Sequence, residues 1–349
     1  MVKNRFVLLL LSLLSTLPSH ARDKTDVMVM TNGDRMTCAI KGLNEGVLYV
    51  DFDYIDGTAS VNWSKVARLE SKQLFLVKTE DGSVYSGTLS TPETGPGRPL
   101  KIEMIQQEAV IDRSQIVRML ATSDKLWQRF NGGISLGVIY SKGNQSTQYN
   151  LSSQSSYARE RWSADASFAS NLSSSTGVTV STRNDVNFSA LHLLPWNHWF
   201  YSGLGGFLQS SEQGIGLQST LGGGIGRYIT NSDKASIAVL GGVAIQNTDY
   251  KQSAVSANGQ RMAAALIFVD AKVFKFSKTN LDATAELLPA LSDPGRVRFN
   301  TSVTYYIKII GNLKWNMTFY GNWDNRPPPG LSGSDYGTSS GVSWTFGLK

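Results

Sequence analysis

The sequence predicts an all-β protein: an antiparallel up-and-down transmembrane β-barrel of about twelve strands, preceded by a small β-domain. Three observations carry that expectation. From Arg296 to Trp323 two runs alternate between apolar and polar residues, with Val297, Phe299, Val303, Tyr305 and Ile307 set against Arg298, Asn300, Ser302, Thr304 and Lys308, then Leu313, Trp315, Met317 and Phe319 set against Lys314, Asn316, Thr318 and Tyr320. Successive strand side chains point to opposite faces, so each run is a strand with one apolar and one polar side. Both runs exceed the ~5–6 residues of a globular strand and reach the ~9–11 that cross a bilayer. Finally, residues 1–21 have the form of a secretory signal peptide: basic Lys3 and Arg5, the apolar run Phe6–Leu17, and a small-x-small site at Ser19-His20-Ala21. That run is too short to span, and no later stretch is long enough to form a spanning helix, so the expected spans are strands.

Charge and cysteine content narrow the function. Without Lys3 and Arg5 the chain carries 31 basic and 27 acidic residues; residues 22–126 hold 13 against 15, and residues 127–349 hold 18 against 12. The basic residues are scattered singly instead of clustering with stacking aromatics, which argues against nucleic-acid binding. The single cysteine, Cys38, excludes an internal disulfide framework and a cysteine-rich zinc site.

Residues 22–126 contain a tandem repeat, over about 26–72 and 73–122. Val27–Gly33 with Met36–Ile40 matches Leu74–Gly82 with Val84–Leu89, each a strand, an Asn-Gly or Asp-Gly turn and a strand. Asn62-Trp63-Ser64-Lys65-Val66 is echoed by Asp112-Arg113-Ser114-Gln115-Ile116. The period is about 50 residues. The pattern resembles small SH3-like or Sm-like β-modules, and Trp63 and Tyr49 are expected in their cores. The Pro/Gly-rich insertion Thr91–Pro99 is expected as a loop.

Residues 127–349 divide into twelve strands, at roughly 130–141, 146–158, 161–172, 178–191, 198–210, 217–229, 235–246, 260–275, 279–290, 296–309, 311–324 and 336–348. An even count suits a single-chain outer-membrane barrel with both ends on the periplasmic side, long outer loops and short inner turns. Expected outer loops include Asn247–Gly259 and Asn325–Asp335, and expected inner turns are Arg159-Glu160, Asn231–Lys234, Ser277-Lys278 and Ile310-Gly311. A charge facing lipid costs about 2–4 kcal/mol at midplane. The charged positions Asp165, Arg183, Asp185, Asp270, Lys272, Asp282, Glu286, Arg296, Arg298, Lys308 and Lys314 are therefore expected in the lumen. Trp196, Trp199, Trp315, Trp323 and Trp344, with Tyr201, are expected as aromatic girdles. The fifth strand alternates poorly, and its faces stay unassigned.

The closing segment, Ser339 to Phe346, has the polar-x-Gly-x-x-aromatic-x-aromatic form of the signal read by the outer-membrane insertion machinery, with Gly341, Trp344 and Phe346 as its marks. Ser135-Leu136-Gly137, Lys142-Gly143-Asn144-Gln145-Ser146 and Gly222-Gly-Gly-Ile-Gly-Arg-Tyr228 resemble hallmarks of the salt-induced outer-membrane protein family, domain-of-unknown-function family 481. The resemblance spans about residues 130–349. It implies an outer-membrane barrel and supplies no catalytic residue.

Catalysis is not expected. His192 and His198 flank an inner turn, and no local motif joins either to a nucleophile such as Ser189. Two histidines lack a third metal ligand. Asp282 and Glu286 read as part of a charged wall rather than an acid–base pair. No cofactor is expected. The leading expectation is an outer-membrane barrel serving the envelope or an osmotic or salt response, including a narrow channel for small polar solutes. The alternative is a non-conducting anchor that presents residues 22–126 in the periplasm. Expected partners are outer-membrane lipids, the insertion machinery, and peptidoglycan or a periplasmic protein.

Overall fold

The structure, a computed structural model, describes residues 24–346 except 56, 93–98, 105–106, 122–129, 142–145, 159–160, 176, 195–197, 252–259, 276–278 and 311. Within the described residues the chain forms a nine-stranded sheet followed by a closed twelve-stranded barrel.

The sheet comprises β1 (Asp26–Met30), β2 (Arg35–Asn44), β3 (Val47–Asp51), β4 (Thr58–Asn62), β5 (Val66–Thr79), β6 (Val84–Ser90), β7 (Leu100–Glu103), β8 (Glu108–Ile111) and β9 (Ile116–Ala121). Its order is β4-β3-β2-β1-β5-β6-β7-β8, with β9 paired to β2 and β5. The repeat is visible in the topology, but β5 belongs to both halves. Val66–Glu70 pairs with β1 as the last strand of the first unit, whereas Phe75–Thr79 pairs with β6 and β9 as the first strand of the second. Two separate modules were the expectation; a continuous 14-residue β5 welds them into one sheet. The echoed motifs become two single 3-10 turns, Trp63–Lys65 and Arg113–Gln115, capped by Asn62 and Asp112, whose side chains accept from Ser64 N and Ser114 N. Trp63 is buried and its Nε1 donates to Arg113 O at 3.0 Å, so one turn is fastened to its counterpart. Met28, Ile40, Leu48, Phe75, Ile102 and Met119 fill the core, with Cys38 among them. Tyr49 is half-buried, and burial together with the Glu45 carboxylate pushes its phenol above the usual range.

The barrel strands are β10 (Phe130–Ser141), β11 (Ser146–Ala158), β12 (Trp162–Ser175), β13 (Val178–Leu193), β14 (Trp199–Ser210), β15 (Ile215–Asn231), β16 (Ala235–Tyr250), β17 (Gln260–Lys275), β18 (Thr279–Pro289), β19 (Val297–Ile310), β20 (Leu313–Asp324) and β21 (Ser334–Phe346). Each pairs antiparallel with the next, and β10 closes on β21 through Gly132↔Phe346 to Leu136↔Val342. The apolar outer face is exposed, as at Leu136, Leu221, Val243 and Ile245. No described helix is long and apolar enough to cross a membrane; these strands carry the apolar exterior instead. β16 runs four residues beyond its expected end because Gln246, Thr248 and Tyr250 continue the alternation and bond to Arg298. Ser334 and Asp335, expected in a loop, open β21.

Candidate functional site: a divided lumen

The inward positions form two sectors. Through the middle of β14, β16 and β17, joined by Leu193 of β13 and Leu288 of β18, they are apolar and packed: Leu193, Phe200, Leu240, Met262, Leu266 and Leu288 are each 6% exposed or less and belong to one cluster. A barrel of this size still lets side chains fill its interior. This explains the poor alternation of the fifth strand, β14, where Phe200 and Leu204 join that internal core while Trp199 and Tyr201 face outward. On β11 to β13 the inward residues are polar, and Gln154, Asp165, Ser167 and Asn187 are exposed. Their face is fixed by the Ser156–Asp165 hydrogen bond and by Asn187 Nδ2, which donates to Asp185 Oδ1 at 2.6 Å beside Arg183. One side of the lumen is thus a hydrophobic core and the other is wetted.

The eleven charged positions separate by height. Arg183, Asp185, Glu286, Arg296 and Arg298 lie toward the outer end, and Asp165, Asp270, Lys272, Asp282, Lys308 and Lys314 toward the inner end, nearer the nine-stranded sheet. At the outer end the arginines are paired and buried. Arg183 Nη1 reaches Asp335 Oδ2 at 2.9 Å, and Nη2 reaches Asp185 Oδ2 at 2.9 Å. Arg296 precedes β19 instead of lying on it; its guanidinium grips both oxygens of Asp324 at 2.6 and 3.1 Å, while Arg298 Nε donates to the same carboxylate at 2.9 Å. Arg298 also crosses from β19 to Gln246 and Thr248 on β16. Glu286 accepts from Asn300 Nδ2 at 2.6 Å. It stands about 13 Å along the strand from Asp282, too far for the two carboxylates to share a proton.

At the inner end the nine-stranded sheet covers the mouth. Its β2–β3 hairpin turns on Glu45 and Gly46, both with positive φ, the two-residue turn that suits a twisted hairpin. Glu45 Oε2 accepts from Asn280 Nδ2 at 2.6 Å, and a Cβ on Gly46 would lie 2.8 Å from Asp233 O. Lys308 Nζ donates to Ser60 Oγ at 2.9 Å, while its register partner Lys314 lies over the Tyr306 ring at 5.7 Å. Lys272 sits 3.7 Å from Asp270 and pairs in register with Asp282. Above them, β5 and β9 present Lys78 and Arg118 as directly opposed partners, with Lys78 Nζ 5.2 Å from the centre of the lumen-facing Tyr228 ring. Burial, and next the Arg118 charge, lower the Lys78 pKa to about 8. Burial also disfavours the Arg118 charge, against the pull of the Asp165 and Glu45 carboxylates.

The remaining candidates lie on the outer surface or at the seam. Trp199, Trp323 and Trp344 are exposed, and Trp315 is half-buried on the same outward face; Trp196 lies outside the described residues. The His192 ring stacks on Tyr201 at 4.9 Å and 6° on that face, whereas Ser189, three residues earlier, points inward. Gly341 faces the lumen at the closing seam. A Cβ there would sit 3.0 Å from Ser135 Oγ, in the path by which Asn316 Nδ2 reaches that hydroxyl at 2.8 Å. Trp344 and Phe346 are in ring contact at 6.0 Å, and Phe346 ends β21.

Sequence reasoning missed Asp324 and Asp335, which anchor Arg183, Arg296 and Arg298, and the internal apolar cluster. A usable signal was the register that sets Arg298 against Asp324 at the end of two alternating strands. For the cluster it was apolar residues on both faces of β14, β16 and β17.

Among solved structures the chain is similar to the NanC porin (12% identity, 62% of this chain and 99% of that one, TM-score 0.39). It is also similar to the translocator domain of the autotransporter NalP from Neisseria meningitidis (12%, 62% and 86%, TM-score 0.33) and to a porin refined at 1.8 Å resolution (10%, 92% and 98%, TM-score 0.28). No curated protein matches. The family described as "Protein of unknown function, DUF481" matches residues 134–346, more than half of the sequence and nearly all of the barrel, and the chain belongs to that family.

Proposed function

We propose that this protein is an outer-membrane β-barrel of the cell envelope that passes small polar solutes through the wetted sector of its lumen, with residues 22–126 held in the periplasm as a cap on the inner mouth. The carrying observation is the exposure of Gln154, Asp165, Ser167 and Asn187 on the inward face. A role in osmotic or salt response accords with a narrow path of this kind. The closing strand's Gly341, Trp344 and Phe346 serve the insertion machinery, and lipid contacts the apolar exterior. Catalysis plays no part in this reading, since Ser189 and His192 point to opposite faces.

Single-channel recording of the full chain in planar bilayers tests it. Rare, small conductance steps are expected, and they become more frequent when Gly46→Val disturbs the cap. Silence from both proteins would overturn the channel reading. The second reading, a non-conducting anchor that presents its periplasmic sheet to peptidoglycan or a protein, is favoured by the packed sector of Leu240, Leu266 and Leu288.

A further inference from the structure

The apolar exterior carries a cation inside its band. Arg227 lies near the inner end of β15, directly opposite Trp199 of β14 and Val239 of β16. Paired positions share a face of the sheet, and all three side chains are exposed, so Arg227 points outward. Its guanidinium stands over the Trp199 ring, 5.8 Å from the centre. The apolar surface continues past it: Ile225 toward the midplane and Ile229 toward the inner rim are both exposed. Trp162, in register through His192 with Tyr201, extends an aromatic row around the same end, and both rings are exposed. Such rows mark the headgroup level of a bilayer.

An exposed arginine in water needs no partner, but in the outer-membrane reading lipid surrounds this one. A charge on the lipid face is costly at midplane and tolerated near the interface, where a phosphate can meet it. Contact with the Trp199 ring engages the charge through the π face and uses none of the N–H donors, so the planar fork stays available to a phosphate. Toward the midplane the surface beside it is low. An added Cβ at Gly203 or Gly241 would meet nothing within 4 Å, while Leu221, Ile225 and Val243 stand exposed around them. Charge then selects the lipid. The outward neighbours of Arg227 include no carboxylate for the ammonium of a zwitterionic headgroup, whereas an anionic headgroup brings a phosphate and no competing cation. We propose that Arg227 and Trp199 bind an anionic glycerophospholipid of the inner leaflet, its phosphate on the guanidinium and an acyl chain against Gly203, Ile225 and Gly241.

Native mass spectrometry of the full chain released from an amine-oxide detergent tests it, with phosphatidylglycerol and phosphatidylethanolamine of the same acyl chains as probes. Phosphatidylglycerol is expected to bind about fivefold more tightly. Arg227→Gln is expected to abolish that preference. Lys65→Gln, which removes the same charge from an exposed turn of the nine-stranded sheet, is expected to keep it. Because Arg227→Gln takes a charge off the lipid face, the variant is expected to fold at least as well as the wild type, read by heat-modifiable gel mobility. Equal retention of the two lipids, a preference that survives Arg227→Gln or falls equally in Lys65→Gln, displacement of the lipid by inorganic phosphate, or a barrel dimer in place of the lipid-bound monomer each overturns the proposal. The site presupposes the outer-membrane reading, which insertion of the full chain into vesicles tests by itself. A barrel that inserts without lipid preference overturns the site alone, and one that fails to insert overturns both.

Discussion

Arg183 Nη1 donates to Asp335 Oδ2 at 2.9 Å and thereby ties β13, the fourth barrel strand, to β21, the twelfth, with Ser210 Oγ donating to the same oxygen at 2.7 Å. Both ionic partners are under 10% exposed. Breaking a buried pair from one side costs about 3–5 kcal/mol because the other charge is stranded.

Asp324→Ala strands two arginines, whereas Asp335→Ala leaves Arg183 its second partner, Asp185. The first is expected to lose about 3–5 kcal/mol and the second less, near 2. Urea midpoints of the protein folded into lipid vesicles measure both. Equal, negligible shifts would mean that the outer arginines are solvated rather than paired.

Leu288 and Leu266 are at most 1% exposed although they point into the lumen. Truncating a core leucine to alanine costs about 2–5 kcal/mol, so Leu288→Ala is expected to fall in that range by the same vesicle assay. A loss under ~1 kcal/mol would mean that water fills this sector too.

Gly46→Val places a Cβ branch against Asp233 O at a positive φ, a conformation costing about 1–2 kcal/mol for an L-residue. The cap is expected to release from the barrel without loss of barrel folding. Limited proteolysis reads the first as faster cleavage between residues 121 and 130, and heat-modifiable gel mobility reads the second. Wild-type cleavage rates in the variant would contradict the docking contact.

Lys78 gives that docking a pH dependence. Arg118 on β9 and Tyr228 on β15 face it, with Asp165, Asp270 and Lys272 beyond them. Its pKa of about 8 in place lies below its ordinary value of 10.5, so the docked state disfavours the proton. Docking therefore tightens as pH rises from about 8 toward 10.5, and the gain is lost as pH falls through 8. Lys78→Met is expected to dock more tightly at pH 7 and to flatten the profile of cleavage against pH between 7 and 10. A profile identical to the wild type would remove Lys78 from this role.

The wetted strands were legible from the chain alone, because a strand between lipid and water must alternate, as Val297–Ile310 does. β14, β16 and β17 were harder: with Phe200, Leu240 and Leu266 packed inside and Tyr201, Val239 and Ile267 outside, both faces are apolar and period two fades. The cross-lumen partners left no local trace. Arg183 and Asp335 are 152 residues apart, and Arg298 and Gln246 are 52 apart, distances over which no spacing rule operates. The hold of Glu45 on Asn280 depends on how the sheet sits on the barrel, and neither segment encodes that alone.

The internal apolar sector also bears on the chain before it folds. In their middle stretches β14, β16 and β17 are apolar on both faces, whereas β11 and β12 are rich in serine. Unpaired strands of the first kind are the ones that aggregate. The unfolded chain thus carries its most aggregation-prone segments in the middle of the barrel sequence. Its better hydrated flanks stay free to bring β10 and β21 together.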